Sequence, residues 1–248
     1  MTSLDSQSTP PATPPRRRTD RLGTAVVREI VATIVSGQMQ PGESLPPEQY
    51  LTDHFGVSRT VVRESVKRLE EKGLLRAVQG RGTEIRERTA WNVLDPIVLD
   101  VLIEHDTATG ILDNFSELRA ATESMMSASM AAQATDEDVE ALAAHLKAME
   151  DTRGDVEAFG EADRAFHRFI MHRSGNFLAE NVTRALMEGA MNSDRFKRNQ
   201  TLFAHHHTIA EHRAVYDAVV ARDAQAAGQA MRTHIEVSWA RRRPINDA

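Results

Sequence analysis

The N-terminal part of the chain alternates between helical patterns of apolar residues and breaks rich in glycine and proline. Between Thr24 and Gly37 the apolar residues recur at helical spacing, at Val26, Val27, Ile30, Val31 and Ile34. This periodicity predicts an amphipathic helix that ends at the glycine. Residues 1–20 are rich in proline, serine and threonine, so we expect a disordered tail there. Its arginines at positions 16–18 are either an arm for DNA phosphates or simply solvated.

Two further helices and a hairpin are predicted after this first helix. Residues 48–55 have a short helical pattern, and Ser58 is a suitable N-cap for the third helix. Strand-like runs at 74–78 and 83–86 flank a connection that contains glycine, which is typical of a β-hairpin. These elements together predict a winged helix-turn-helix over residues 21–87.

The rest of the chain has a helical pattern almost throughout. Residues 88–95 are a predicted linker, and residues 96–243 contain short breaks at Asp106, Gly154, 174–176 and 222–223. The predicted fold class is therefore mainly α. It combines an N-terminal winged helix-turn-helix, which includes a small β-hairpin wing, with a C-terminal all-α helical bundle.

Composition and charge narrow the classes of protein. The chain has no cysteine, so disulfides are excluded and any metal site must use histidine and carboxylate ligands. No segment approaches the roughly 20 apolar residues of a membrane span, and no signal peptide is visible, so we expect a cytoplasmic protein. Residues 1–90 hold 14 Lys and Arg against 11 Asp and Glu, whereas residues 91–248 hold 16 against 25. A basic N-terminal part followed by an acidic C-terminal part is typical of a DNA-binding domain attached to a second domain.

Candidate DNA contacts cluster at the start of the third helix and in the wing. Arg59 and Arg63 are four residues apart, so they project from one helical face, where arginine can bond guanine O6 and N7 through two donors. Ser58 and Thr60 could donate hydrogen bonds from their hydroxyls to phosphate. Gly80 and Arg81 lie in the wing, where the backbone could approach the DNA and the arginine could enter the minor groove. The alternative is a solvated helix with a few cations, but the complete arrangement favours DNA binding.

These residues resemble a known family. The segments Leu45-Pro-Pro-Glu48, Phe55-Gly-Val-Ser-Arg59, Val62-Arg63-Glu64 and Gly80-Arg-Gly-Thr83 closely resemble the winged-helix head of GntR-type regulators. The resemblance implies that Arg59, Thr60, Arg63 and Gly80 contact operator DNA. Gln49 departs from the pattern, because many members have arginine there, and the base preference at that point is left open.

Four candidate metal ligands lie in the C-terminal half. Asp163 and His167 are four residues apart, so one helix presents both on one face. His212 and His234 lie 10 and 11 residues from a predicted turn at 222–223, so two antiparallel helices would bring them side by side. One carboxylate and three imidazoles suit a divalent ion, although a histidine on a helix is more often structural.

Two other groups in this half are assigned to packing or to the surface. The run His205-His206-His207 is a rival source of ligands. Consecutive helical residues point about 100° apart, so these three cannot face one ion, and we expect them at the surface. Met125, Met126 and Met130 are expected in the core.

The spacing of the four candidate ligands resembles the all-helical FCD effector domain of FadR-like GntR regulators. Metal-binding members of that subfamily use one aspartate and three histidines, which Asp163, His167, His212 and His234 match. The resemblance implies a bound divalent metal, with zinc as the first candidate and nickel or manganese as alternatives.

Two more residues are candidates for binding an effector. In the family an arginine in a Glu-Leu-Arg setting faces the effector cavity, which implies that Arg119 pairs with a carboxylate. Alternatively, Arg119 forms a surface ion pair with Glu123. Asn176 either orients effector hydroxyls or caps a helix.

The resemblances together imply a metabolite-responsive transcriptional regulator that acts as a repressor rather than an enzyme. We expect a homodimer on near-palindromic operator DNA, and we expect a small carboxylate bound at the metal site to modulate this DNA binding. The segment Trp91-Asn-Val-Leu-Asp95 resembles the linker of members that respond to sugar acids, so a sugar acid is the first candidate and a di- or tricarboxylate the second. The competing class is a metal-dependent hydrolase with an accessory DNA-binding head. A closed cavity would favour sensing, and an open cleft with a spare carboxylate would favour catalysis.

Overall fold

The computed structural model of the chain describes residues 18–106, 110–192 and 202–243. The chain divides into two compact units, residues 1–92 and residues 93–248. Each unit contains its own buried residues. The division between the units falls inside the segment that the sequence predicts as a linker.

The first unit contains three helices and a two-stranded hairpin. The helices are α1 (Arg18–Val35), α2 (Glu48–Phe55) and α3 (Arg59–Glu71), and the strands are β1 (Leu75–Val78) and β2 (Gly82–Ile85). The strands pair in antiparallel register, with Leu75 opposite Ile85. Because α1 begins at Arg18, residues 18–20 of the predicted tail are helical, and the rest of that tail lies outside the described residues.

Local sequence explains where the helices of this unit begin and pack. The Ser58 hydroxyl caps α3 by accepting a hydrogen bond from the Val61 amide. Val27 and Val31 of α1 and Leu69 of α3 are almost completely buried, as the helical periodicity predicts. Leu75 of β1 and Ile85 of β2 are buried as well, so the helices and the hairpin all contribute apolar side chains to the interior of this unit.

Part of the predicted linker is built into this first unit. A short 3₁₀ helix spans Arg88–Ala90. The Trp91 indole N–H donates to the Arg86 carbonyl at 3.1 Å, and the Asn92 amide donates at 2.9 Å to the carbonyl at the C-cap of α3. Gly73 has a positive φ of 77°, and a Cβ there would lie 2.2 Å from a backbone oxygen of the 3₁₀ helix. Only glycine lets this segment pack against the end of α3.

The second unit is all-helical in the part that the structure describes. Its helices are α4 (Pro96–Glu104), α5 (Ile111–Gln133), α6 (Asp136–Asp151), α7 (Val156–Arg173), α8 (Phe177–Asn192), α9 (Leu202–Val220) and α10 (Ala224–Arg242). Helices α5 and α10 approach closely, since the hydroxyls of Ser124 and Ser127 donate to the carbonyls of Gly228 and Ala227. The predicted fold class, mainly α with a hairpin wing, is confirmed.

Two predictions about apolar character can be compared with this arrangement. Met126 and Met130 are completely buried, as expected, but Met125 is 44% exposed. The prediction is wrong for Met125 because it lies one residue, about 100° of rotation, away from Met126 on the outer side of α5. Among the described residues, no helix has both the length and the apolar character needed to cross a membrane.

Candidate metal centre and DNA-contacting residues

Four side chains from three helices meet inside the second unit. Asp163 and His167 come from α7, His212 from α9 and His234 from α10, and none is more than 8% exposed. The His167 Nε2 atom lies 3.2 Å from Nε2 of His212 and 3.3 Å from Nε2 of His234. Asp163 Oδ1 lies 3.3 Å from His212 Nε2. The structure therefore brings all four predicted metal ligands together, within 4.8 Å of one another.

The three imidazoles are held with the same ring nitrogen facing inward. His167 Nδ1 lies 2.5 Å from Glu123 Oε2, and His234 Nδ1 lies 2.9 Å from Glu211 Oε2. His212 Nδ1 lies 2.8 Å from a backbone carbonyl one turn earlier in α9. Because these oxygens accept a hydrogen from each Nδ1, each Nε2 is left with a lone pair directed into the cluster.

The residues present fit a divalent cation. Facing lone pairs and a carboxylate repel one another unless a positive charge lies among them. Asp163 Oδ1 is buried and has no hydrogen-bond partner among the described residues, whereas buried polar atoms nearly always have one. Ligands bound tetrahedrally to zinc at about 2.0–2.2 Å lie roughly 3.3 Å apart. The separations of 3.2 and 3.3 Å between the imidazole nitrogens agree with that spacing.

Burial and neighbouring charge favour the protonation states that bind metals. Burial raises the pKa of Asp163, but the three imidazoles and Arg242 outweigh this effect and hold that pKa well below its usual range. Burial is the main cause that lowers the pKa of His212 and of His234. An ionised carboxylate and neutral imidazoles are the forms in which these side chains act as metal ligands.

A small cleft between α5 and α10 is lined by two arginines, Arg119 and Arg242. Its other lining residues are Phe115, Ser116, Ile235, Ser238 and Trp239, and its volume is about 10 Å³. That volume is about the room that one water molecule needs. A larger ligand can enter this cleft only when side chains move.

Arg119 forms an ion pair with Glu123, and the pair is buried rather than at the surface. Arg119 Nε lies 2.6 Å from Glu123 Oε1, and the two side chains are 9% and 1% exposed. Burial raises the pKa of Glu123, but Arg119 and His167 together have the larger effect and lower this pKa to about 2. An ionised carboxylate is therefore shared between the cleft arginine and a candidate metal ligand.

Glu211 has the same relation to His234. It accepts two hydrogen bonds from Arg241, at 2.5 and 2.9 Å. Burial raises the pKa of Glu211, whereas His234 and Arg241 together lower it to about 2. The sequence pattern does not reveal Glu123 and Glu211 as partners of the histidines. Glu211 directly precedes His212 in the chain, but that proximity points to the wrong histidine.

Asn176 lies at the N-terminus of α8 and is exposed. Its Oδ1 atom accepts a hydrogen bond from the Ala179 amide at 3.1 Å. This contact is the capping interaction that sequence analysis gave as the alternative to effector binding.

The three consecutive histidines of α9 do not share one environment. His205 is buried, its ring stacks on Phe159 with centroids 3.8 Å apart, and its Nδ1 lies 2.9 Å from the Arg153 carbonyl. His206 and His207 are exposed. The expectation that all three lie at the surface is wrong for His205, because the helical rotation turns that residue alone towards α7.

The candidate DNA contacts of the first unit are all exposed. They lie at the start of α3 and in the connection between the strands, at Ser58, Arg59, Thr60, Arg63, Gly80 and Arg81. Arg59 donates to the Gln49 side-chain oxygen at 2.6 Å. Arg63 Nε lies 3.0 Å from both carboxylate oxygens of Glu48. The two arginines are thus steadied by α2 side chains while they remain accessible to solvent.

Comparison with known proteins supports the assignment of both units. Residues 22–85 match the family described as bacterial regulatory proteins, gntR family, and residues 114–237 match the FCD domain. The galactonate operon transcriptional repressor of Escherichia coli (strain K12) is 31% identical over 235 residues, which cover 92% of this chain and 98% of that protein. The HTH-type transcriptional repressor NanR of Klebsiella aerogenes is 30% identical over 223 residues, which cover 87% and 83%.

A solved structure is similar in fold as well. It is the structure of Lar, which is described as controlling the expression of the Listeria monocytogenes agr system and mediating virulence. It superposes with a TM-score of 0.57 at 17% identity and covers 89% of this chain and 95% of its own. The family matches and the 31% identity over 92% of this chain show that the chain belongs to the GntR family of bacterial transcriptional regulators and carries an FCD domain, as the motifs had implied.

Proposed function

We propose that this regulator is a cytoplasmic repressor that binds operator DNA through residues 21–87. A small carboxylate that binds within residues 96–243 releases the protein from the operator, and residues 88–95 are the linker between the two parts. The observation that carries the proposal is the buried, unpartnered Oδ1 atom of Asp163 beside three inward-facing imidazole nitrogens. Two of the relatives described above are named repressors, which supports the sign of regulation.

The divalent ion of the proposal would be held by Asp163, His167, His212 and His234. Zinc is the first candidate for this donor set, and nickel and manganese are the alternatives. When bound, the ion supplies a positive charge to an anionic ligand oxygen. The protein itself lowers the pKa of His212 and His234 by burial. It fixes the direction of all three imidazoles through acceptors at each Nδ1.

The proposed effector is a carboxylate because two guanidinium groups, from Arg119 and Arg242, line the cleft. Arginine pairs with carboxylates through charge-assisted and often bidentate hydrogen bonds. A sugar acid is the first candidate, given the Trp91-to-Asp95 segment and the name of the galactonate operon repressor. A di- or tricarboxylate is the second. Asn176 is left out of the proposed site, since it caps α8.

On the DNA side, we assign base reading to Arg59 and Arg63. Both are exposed near the N-terminus of α3, the part of a recognition helix that contacts base edges. Ser58 and Thr60 would bond phosphates, and the wing of Gly80 and Arg81 would approach the minor groove. One such head reads a short half-site, so a homodimer on a near-palindromic operator follows.

The competing class, a metal-dependent hydrolase, gains no support from the relatives, which are named as regulators. The carboxylates beside the cluster, Glu123 and Glu211, are each bonded to a histidine and an arginine. Neither carboxylate is therefore a spare general base.

Metal analysis combined with operator release tests this proposal. We expect elemental analysis to find a divalent ion in the purified protein. A sugar acid such as galactonate, or a di- or tricarboxylate, should release an operator selected in vitro, and prolonged prior incubation with a chelator should abolish the release. His212→Ala should keep DNA binding, because residues 1–92 form their own compact unit, but lose most of the effector response.

The matched control for this variant is His206→Ala, which removes an exposed histidine from the same helix and should behave like the wild type. Wild-type protein that contains no metal, or a full effector response in His212→Ala, would contradict the proposal. The four residues would then be core packing only.

A further inference from the structure

A series of buried side-chain contacts links the cleft to the cluster of four candidate metal ligands. Arg119 and Glu123 lie one turn apart on α5, and Arg119 Nε meets one carboxylate oxygen of Glu123 at 2.6 Å. The other oxygen of that carboxylate meets His167 Nδ1 at 2.5 Å. His167 Nε2 in turn faces both other imidazoles of the cluster. One side chain, Glu123, therefore contacts both the arginine that lines the cleft and a candidate ligand.

The burial of this contact argues for a specific role. A buried ion pair is often no more stable than apolar side chains of the same volume, because both charges lose their hydration. Packing of α5 against α7 alone therefore does not require Arg119 and Glu123. What apolar residues cannot do is accept the hydrogen from His167 Nδ1 and so keep Nε2 directed into the cluster.

We propose that Glu123 is a positioning residue that orients His167 for metal binding and couples the affinity for the metal to the contacts of Arg119. The inference rests on the metal site of the proposed function. A ligand that draws Arg119 away from Glu123 changes the charge that His167 experiences, so binding in the cleft and binding at the cluster are linked. By thermodynamic necessity, such linkage acts in both directions.

The chain contains its own comparison for this role. Glu211 bridges His234 and Arg241 as Glu123 bridges His167 and Arg119, but Glu211 and Arg241 are 19% and 26% exposed. Partial exposure lets solvent screen the charge of Glu211, whereas the Glu123 side chain is only 1% exposed and its charge is screened much less. At Nδ1 of His212 the acceptor is a carbonyl of its own helix and not a carboxylate.

Cobalt binding to the metal-free full-length protein tests the proposal, with Co²⁺ alone as the probe. Substitution of partners that orient a metal-bound histidine typically weakens metal affinity by about 10- to 100-fold. We expect Glu123→Gln to lose about this much affinity for Co²⁺ and to shift the visible absorption bands of the bound ion. Glu211→Gln should lose less, and Glu188→Gln on α8, which removes an exposed partner of Arg184, should lose nothing.

The outcomes separate this inference from the proposed function. If the wild type fails to bind Co²⁺, the metal site itself is wrong and the role of Glu123 is wrong with it. If the wild type binds and folded Glu123→Gln binds with the same affinity and spectrum, only the positioning role is overturned, even when its melting temperature falls. Should Glu123→Gln not fold, the double variant Arg119→Met with Glu123→Met removes both buried charges and decides by the same two readouts.

Discussion

Two arginines of this chain form ion pairs with very different surroundings. Arg63 pairs with Glu48 at side-chain exposures of 70% and 36%, whereas Arg119 and Glu123 are almost completely enclosed. An exposed ion pair typically contributes only about 0–1 kcal/mol. Arg63 can therefore leave Glu48 for a DNA base at little cost, while movement of Arg119 leaves a buried charge on Glu123 that needs a new partner.

Replacement of Arg63 tests the DNA contact at the scale of one residue. Arg63→Ala should cost about 1–3 kcal/mol of specific binding and relax the sequence preference, as expected for a base-reading arginine. The measurement is a titration against operator and random DNA at one fixed salt concentration. Arg213→Ala, which removes another exposed arginine paired with a glutamate, is the control. An unchanged ratio of specific to random binding in Arg63→Ala would remove this residue from the reading face.

At the residue scale, the sequence was enough to predict which side chains are candidate ligands, but it was not enough to predict which side chains surround them. The four candidate ligands could be found from the sequence for two reasons. Asp163 and His167 are four residues apart on one helix, and a short connection joins the helices that carry His212 and His234. The burial of His205 and the bridging role of Glu123 could not be found. Both depend on which helix packs beside them, and contacts such as Glu123 to His167 join residues 44 positions apart.

Among the helices, the predicted breaks agree with the structure where glycine, asparagine or aspartate signals them. Helix α7 ends at Arg173, just before the break predicted at 174–176, and α9 ends at Val220, just before 222–223. The break between α5 and α6 was missed. It contains neither glycine nor proline, and it is set by a capping box between Thr135 and Asp138.

Asp138 offers a test at the scale of helix packing. Its carboxylate accepts the Thr135 amide at 3.0 Å and pairs with Arg173 Nε at 2.6 Å, so it joins the start of α6 to the end of α7. The hydrogen bond from Arg173 lowers the pKa of Asp138, against the effect of burial, and the Thr135 amide lowers it further. We expect Asp138→Asn to reduce the free energy of unfolding by about 1 kcal/mol at pH 7.

The pH dependence of this effect has a definite sign. Because the pKa of Asp138 is lower in the folded chain than in the unfolded chain, its stabilisation is complete above the ordinary aspartate pKa of about 4 and is lost as pH falls further. Urea unfolding between pH 7 and pH 3 should show the wild-type and variant curves converge. Asp151→Asn, which removes an exposed partner of Lys147, should change little. A difference that stays constant with pH would show that the charge of Asp138 does not matter.

Charge is divided between the two parts of the molecule. Residues 1–90 carry a net charge of +3, and residues 91–248 carry −9, from the counts given above. The negative part is repelled by phosphate, so the net attraction to DNA comes from residues 1–90. This division was visible in the sequence, because a sum of charges requires no knowledge of the fold.

The expected assembly of the whole molecule on DNA is symmetric. We expect a homodimer, because two-fold symmetry doubles the contact that one short half-site provides. Light scattering at micromolar concentration should give twice the mass of the 27.6 kDa chain. Half-sites moved apart by half a helical turn should bind much more weakly. A monomer in solution, with one chain on each operator, is the result that excludes this assembly.

The enclosure of the four candidate ligands has a kinetic consequence. None of them is more than 8% exposed, so an ion among them could exchange with solvent only when α7, α9 or α10 opens locally. In a loaded protein, exchange would then be limited by that opening, whose barrier includes the coordinate bonds that have to break. Each molecule would then keep the ion that it acquired while folding. The metal content of a preparation would record the supply at the time of synthesis, and later changes of buffer would alter it only slowly.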